Sequence, residues 1–294
     1  MNTSSGPTGT QVLSDERLGT DDIILWQEHK LPRTQCQAYA HKLAQGKRLF
    51  HFEPAIRTDK GGLSSGVAIG TRAYIGHSPP ATLGTSTIVP GRVLARHIHG
   101  LLPGGILCIS VYFHLARGSQ GAIQHTRCLQ RLGAFLARFN RPFVVGGDWN
   151  CEPADIEATG TPARLQATIV HTSGPTCDTK TGSGLTSRCL DFFLLSDVLV
   201  PLIRRLEALD LHMPSHKAIR LTLANYATIP LIRVPRCPRP LPASRPQGPN
   251  PRFEEWSAMS PLLDPTQHES IMAIARGNRT AAQEFLTSAI NGVA

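Results

Sequence analysis

The chain has 294 residues, 41% of them hydrophobic, and its 30 Lys and Arg residues outnumber 21 Asp and Glu residues for a formal net charge of +9. This composition excludes an acidic or disordered chain, and the length fits one large domain with appendages. No apolar run approaches the roughly 20 residues that span a bilayer, and Met1 is not followed by a basic and then apolar leader. We therefore expect an intracellular protein, nuclear or cytoplasmic, with no membrane partner and no secretion.

The seven cysteines are odd in number and include no Cys-x-x-Cys pair. This pattern favours reduced thiols over a disulfide framework or a zinc site.

Residues 1–227 alternate between strand-like and helix-like segments. Short apolar runs bounded by Gly, Pro, Asp or Ser predict strands at 22–27, 48–53, 66–71, 92–97, 105–112, 142–147, 189–195 and 219–224. Apolar residues three and four positions apart predict helices at 33–45 and 120–139. The pattern indicates an α+β layered sandwich.

The composition changes abruptly after this first segment. Residues 228–252 are rich in Pro and Arg and contain no acidic residue, which predicts a semi-stiff linker, either a solvated tether or a contact for nucleic acid. Residues 253–294 show helical periodicity, but about 40 residues seldom fold alone. We interpret this helical C-terminal segment as the start of a further domain.

Acidic and amide side chains lie at the ends of the predicted strands. Glu28 closes the first apolar strand, a position where open sheets often place ligand-binding groups. Asp148 and Asn150 follow an apolar strand and two glycines that would permit a tight turn. On an extended segment their spacing would direct both side chains to one side.

One acidic residue, Asp191, lies inside an otherwise apolar strand. A buried carboxylate is costly without a partner, and His216, just before the next strand, could supply one. An aspartate that fixes the tautomer of a histidine also raises its basicity, which suits proton transfer or charge stabilisation.

Each of these features also has a structural explanation. Glu28 and Asp148 could be polar strand ends, Asp148 with Asn150 could form a plain turn, and a single histidine is more often structural than catalytic. It is their order along the chain that favours a shared site.

That order resembles the endonuclease/exonuclease/phosphatase superfamily, and within it the apurinic-type endonuclease domains of non-LTR retrotransposons. The resemblance covers roughly residues 2–225. It is carried by Gln27-Glu28, Val111-Tyr112, Gly147-Asp148-Trp149-Asn150, Leu190-Asp191-Phe192-Phe193-Leu194-Leu195-Ser196 and Ser215-His216. It implies a four-layer α/β/β/α sandwich with two packed mixed β-sheets.

The resemblance also assigns roles to individual residues. Glu28 matches a metal-ligating glutamate, and Asn2, which lies 26 residues earlier, matches an amide that accompanies it. Asp148 matches the aspartate that positions or activates the attacking water. The remaining matches are the phosphate-contacting Asn150 and Tyr112 and the late pair Asp191 and His216, whose histidine stabilises charge on the phosphoryl oxygens.

The chain departs from the resemblance in three places. Ser215 replaces the aspartate that usually precedes the late histidine, which removes a negative charge near the metal. Tyr112 is followed by Phe113 and His114 instead of a proline and an asparagine. The first strand is expected to be truncated, because the chain begins at about the matching asparagine.

Oxygen ligands of this kind suit Mg²⁺, with Mn²⁺ as the other candidate, better than zinc. The leading hypothesis is a Mg²⁺-dependent phosphodiester hydrolase that nicks DNA as part of a retrotransposon-like element, upstream of a reverse-transcriptase-like domain. Residues 1–227 hold 23 basic and 16 acidic side chains, a net +7 that favours a nucleic-acid backbone. The alternatives are a phosphatase of small phosphoesters or lipids, and an inactive remnant that binds nucleic acid.

Overall fold

The computed structural model describes residues 1–224 except residues 4, 60, 81–85, 117, 140, 182–183, 212 and 214. The predicted linker at 228–252 and the predicted helical segment at 253–294 lie outside the described residues.

The described chain alternates short strands with a few helices. The strands are β1 (Ile23–Gln27), β2 (Arg48–Glu53), β3 (Ile56–Arg57), β4 (Leu63–Ser64), β5 (Val67–Arg72), β6 (His77–Ser78), β7 (Thr87–Val89), β8 (Val93–Ile98), β9 (Ile106–Tyr112), β10 (Phe143–Asp148), β11 (Ala167–Val170), β12 (Cys177–Thr181), β13 (Gly184–Arg188), β14 (Asp191–Ser196), β15 (Ile203–Leu209) and β16 (Ala218–Leu223). The helices are α1 (Gly6–Leu13), α2 (Arg33–Gln45), α3 (Gly118–Leu136), α4 (Pro153–Ala158) and α5 (Thr161–Arg164), with 3₁₀ turns at Glu16–Leu18 and Asp197–Leu202.

Two sheets form the centre of the fold. The first has the strand order β1-β5-β2, and its strands are antiparallel. The second has the order β11-β14-β10-β9-β8-β6, with β7 also paired to β8, and it is mixed because β9 and β10 run parallel. In the first sheet, parallel pairing occurs only at an isolated bridge between Asn2 and Gln27, where the resemblance expects a longer first strand.

Three of the four apolar clusters among the described residues define the four layers. One core lies between the second sheet and α3, where Val93 and Val111 pack against Leu132. A second lies between the two sheets and includes Ile69, Leu94 and Leu195. A third covers the outer face of the first sheet around Trp26. The α/β/β/α sandwich implied by the resemblance is thus confirmed.

All eight predicted strands are present, each within two residues of its predicted bounds. Helix α2 has the predicted limits, whereas α3 ends at Leu136, three residues earlier than expected. Helix α1 was not predicted, because its sequence contains two glycines and a proline. It forms because Ser5 caps it and because Gly9 lies directly against Trp26, where a Cβ atom would come within 1.8 Å of the ring.

Among the described residues, no helix is long and apolar enough to cross a bilayer.

Candidate active site

Three of the predicted site residues lie in one row across the second sheet. Asp148 at the end of β10 is the register partner of Tyr112 on β9 and of Asp191 on β14. Register partners project from the same face of a sheet. This face is the one packed toward the first sheet, because the alternate residues Val111 and Phe192 pack in the core beneath α3.

The two glycines before Asp148 belong to β10, so the predicted tight turn at these positions is wrong. They are required because neighbouring strands of the same sheet, and at Gly146 also the first sheet, leave no room for a Cβ atom. A Cβ atom on Gly146 would lie 2.6 Å from Phe193 and 2.9 Å from Leu25 of the first sheet, and one on Gly147 would lie 2.1 Å from the carbonyl oxygen of Val111.

The Asp148 carboxylate is fully buried and accepts two hydrogen bonds. The Asn2 side chain donates to Oδ2 at 2.9 Å, and the backbone N–H of Asn150 donates to Oδ1 at 2.9 Å. Burial and the charge of Asp191 raise the pKa of Asp148 to about 7. The charge of His216 and the two hydrogen bonds lower this pKa without cancelling the increase.

Asn150 does not continue the extended strand, so the prediction that its side chain points to the same side as Asp148 on an extended segment is wrong. Its backbone φ is 54°, in the left-handed region that Asn tolerates better than most residues. The side-chain amide donates to the carbonyl oxygen of Phe113 at 2.8 Å. The neighbouring Trp149 anchors this turn, since its ring stacks on Phe192 with centroids 5.0 Å apart.

Asp191 and His216 form the predicted pair, with His216 Nδ1 at 2.8 Å from Asp191 Oδ2. The other ring nitrogen, Nε2, lies 3.8 Å from Asp148 Oδ2. Burial alone would lower the pKa of His216, but its contacts with Asp191 and Cys177 and the charge of Asp148 raise this pKa to about 11. His216 is therefore a cation at neutral pH, held between two buried carboxylates.

Two neighbours of this pair were not found from the sequence. Cys177 Sγ lies 3.6 Å from His216 Nε2, and the hydroxyl of Thr176 accepts the backbone N–H groups of Leu190 and Asp191 at 3.0 and 2.9 Å. Both lie at the start of β12, which pairs with the exposed strand β13. Thr-Cys in a polar hairpin carries no sequence signal of a site.

Glu28 approaches the row from the first sheet. It follows the last residue of β1 with a φ of 55°, and its carboxylate lies 3.2 Å from Lys30 Nζ. Burial raises the pKa of Tyr112, and the charges of Glu28 and Asp148 together with a hydrogen bond to Glu28 raise it further. Tyr112 thus lies beside both carboxylates, and its phenol stays protonated.

The two sheets are joined directly beneath this position. Gln27 Nε2 donates to the Ser110 hydroxyl at 2.8 Å, and both residues are fully buried. This contact links the end of β1 to β9 and thereby holds Glu28 near Tyr112.

The residues present fit a hard divalent cation. Carboxylate and amide oxygens come from Glu28, Asp148 and Asn2, and burial together with the charge of Asp191 raises the pKa of Asp148, an effect that a bound cation would oppose. The described residues contain no group of three or more His, Cys, Asp and Glu side chains that could hold a metal ion by themselves. Mg²⁺ keeps several of its waters and requires few protein ligands.

Comparisons with known proteins agree with this architecture. The sequence profile of the endonuclease/exonuclease/phosphatase family matches residues 10–212, whereas no curated protein matches the chain. The fold is similar to that of the endonuclease domain of TRAS1, a telomere-specific non-LTR retrotransposon, with a TM-score of 0.56 and 15% identity over 76% of this chain and 95% of that chain.

Two further solved structures are similar in fold. AP endonuclease LMAP from Leishmania major gives a TM-score of 0.60 with 14% identity over 75% of this chain and 85% of that chain. The 3'-5' exonuclease NExo from Neisseria meningitidis gives 0.54 with 18% identity over 76% and 97%. At these identities the likeness shows a common fold. Because the family profile covers more than half of the sequence, the chain belongs to the endonuclease/exonuclease/phosphatase family.

Proposed function

We propose that this protein is a Mg²⁺-dependent phosphodiester hydrolase that nicks DNA. The observation that carries the proposal is the convergence of Glu28, Tyr112, Asp148 and the Asp191–His216 pair where the two sheets meet. In-line hydrolysis of a phosphodiester needs a base for the attacking water and positive charge at the phosphoryl oxygens, and this set of side chains offers both.

Asp148 acts on the attacking water. Burial together with the charge of Asp191 makes this carboxylate more basic than an exposed aspartate, which favours proton acceptance, and a bound cation would lower its pKa from the metal-free value of about 7. The amide groups of Asn2 and Asn150 hold the carboxylate in place, so the accepted proton goes to a fixed oxygen.

His216 and Tyr112 stabilise the charge that develops on the phosphoryl oxygens. His216 is cationic at neutral pH and is fixed by Asp191, while the protonated phenol of Tyr112 can donate a hydrogen bond. Preorganised donors of this kind cost no reorganisation during the reaction. Ser215 in place of an aspartate leaves this end of the site with fewer negative charges.

Glu28, together with the amide of Asn2, would hold Mg²⁺. The bound ion would supply positive charge that neutralises the phosphoryl oxygens.

The net charge favours DNA over small phosphoesters, since residues 1–227 carry +7. Similarity to a retrotransposon endonuclease and to NExo, which has been solved with a product DNA hairpin, supports the same substrate class. We therefore propose that the chain is the endonuclease part of a retrotransposon-like element.

Supercoiled plasmid distinguishes the alternatives. Purified protein with Mg²⁺ should convert the plasmid to open circles, EDTA should stop the conversion, and Asp148→Asn should reduce it by at least a thousandfold. Binding without nicking would indicate an inactive remnant. Hydrolysis of small phosphoesters without nicking would indicate a phosphatase.

A further inference from the structure

Arg92 occupies the next position in the row formed by Tyr112, Asp148 and Asp191. It immediately precedes β8, and its carbonyl oxygen accepts the backbone N–H of Tyr112 at 2.9 Å. The row therefore runs across four neighbouring strands of the second sheet in the order Arg92, Tyr112, Asp148, Asp191. Neighbouring strands lie about 4.8 Å apart, so a long side chain at Arg92 reaches the space above Tyr112.

The backbone before Arg92 is fixed by the other sheet. Gly91 has a φ of 64°, its N–H donates to Glu53 Oε1 at 3.1 Å, and its carbonyl oxygen accepts the N–H of Gly66 at 3.0 Å. A Cβ atom on Gly91 would lie 2.7 Å from Ile56. This tight packing holds Arg92 in its place at the edge of the site.

Among the described residues, the guanidinium of Arg92 makes no direct ion pair, although the charge of the nearby Glu28 carboxylate acts on it. Its Cζ lies 4.7 Å from the centroid of the Tyr112 ring, and its Nη1 makes long contacts of 3.4 and 3.5 Å with the carbonyl oxygens of Tyr112 and Phe113. Its Nε is buried and donates to no atom of the described residues. Other partly buried arginines do have acidic partners, such as Arg220 with Asp21.

A partly buried cation without a directly bonded anion is costly. Burial lowers the pKa of Arg92, but a guanidinium remains charged in proteins. A ligand can supply the directly bonded anion that Arg92 lacks, and phosphate oxygens match the planar donors of arginine.

We propose that Arg92 is a phosphate-binding residue of this site and contacts the substrate phosphate beside Tyr112. The proposal rests on the proposed function only in taking the substrate to be a phosphoester. Arg92 and His216 would then supply positive charge at opposite ends of the row, with Tyr112 and Asp148 between them.

The test compares Arg92→Gln with Arg72→Gln. Arg72 is a matched control because its guanidinium also lies over a tyrosine, 5.9 Å from the centroid of the Tyr74 ring, outside the row. Binding of the full chain to a fluorescent 20-base-pair duplex is measured in EDTA at several salt concentrations. Each phosphate contact contributes about one unit to the slope of log K against log salt.

We expect Arg92→Gln to weaken duplex binding about tenfold and to reduce the salt slope by about one unit, while Arg72→Gln leaves the slope unchanged. Arg92→Lys should restore the slope but only part of the affinity, since lysine lacks the planar fork. A slope unchanged in Arg92→Gln would show that Arg92 only supports the Tyr112 ring, and would overturn the proposal.

The plasmid assay is read separately. If the wild-type protein does not nick the plasmid but Arg92→Gln reduces the salt slope by one unit, Arg92 is a phosphate contact and the hydrolase is refuted. Nicking by the wild-type protein, with the same salt slope in wild type and Arg92→Gln, would support the hydrolase and refute the phosphate contact of Arg92. If the wild-type protein does not bind the duplex, inorganic phosphate is titrated by calorimetry, and binding that is absent, or equal in wild type and Arg92→Gln, overturns the proposal.

Discussion

The Asp148 carboxylate should destabilise the metal-free protein at alkaline pH, and Asp148→Asn should remove that effect. The folded-state pKa of about 7 lies above the unfolded value of 3.8. Between these values the folded protein keeps a proton that the unfolded chain has released. The free energy of unfolding contributed by this group therefore falls as the pH rises through the window.

The size of the effect follows from the difference between the two pKa values. One pKa unit corresponds to about 1.4 kcal/mol. Most of the decrease in the free energy of unfolding occurs above pH 5. Between pH 5 and pH 8 the wild-type protein should therefore lose about 2 to 3 kcal/mol relative to a variant whose residue 148 does not titrate. His216 has a pKa of about 11 and stays charged over this range, so its own titration does not contribute to the change in stability.

Urea unfolding of wild type and Asp148→Asn, followed by tryptophan fluorescence in EDTA at pH 5 and pH 8, measures this difference. Subtracting the two proteins at each pH removes the contribution of all other titrating groups. The Asn variant should gain about 2 to 3 kcal/mol over wild type on going from pH 5 to pH 8. A difference that is equal at both pH values, or larger at pH 5, would refute the reasoning.

Further predictions concern other buried groups. Desolvation lowers the pKa of the buried His29 to about 4, so the unfolded chain takes up this proton first as the pH falls from 6.5. Between pH 7 and pH 4, the free energy of unfolding measured in urea should fall by about 3 kcal/mol less in His29→Gln than in wild type. An equal fall in both proteins would contradict this. Gly147→Ala should prevent folding or cost at least about 3 kcal/mol, because its Cβ would lie 2.1 Å from a carbonyl oxygen, while Gly174→Ala, with open space, should stay within about 0.5 kcal/mol in thermal melts. Equal melts for the two would refute the packing argument. Asp191→Asn should lower the pKa of His216 by several units in ¹⁵N imidazole spectra, and an unchanged pKa would exclude the ion pair.

The central strands could be predicted because a strand buried on both faces is a continuous apolar run. β9 and β10 are of this kind, and each was placed within one residue. Strand β13 is exposed and polar, so it carries no hydrophobic period and was missed. Helix α1 was missed for a different reason, since its stability comes from packing against Trp26 and not from helix propensity.

The site could be predicted where an acid interrupts an apolar strand. Asp191 was identified in this way, and the requirement for a partner led to His216, which the structure pairs with it. The conformation of Asn150 could not be predicted, because a single left-handed residue depends on how Trp149 packs beneath it. Arg92 was overlooked because an arginine at a strand start is common and its lack of a direct ion pair is visible only in three dimensions.

The contact between Gln27 and Ser110 has a consequence for the spacing of the proposed metal ligands. Glu28 belongs to one sheet and Asp148 to the other, so the gap between their carboxylates is set by how the layers stack and not by either side chain alone. Replacing Gln27 or Ser110 with an apolar residue would remove this buried hydrogen bond between the layers. The spacing of the proposed metal ligands would therefore depend on residues in the interior of the sandwich that do not themselves hold the ion.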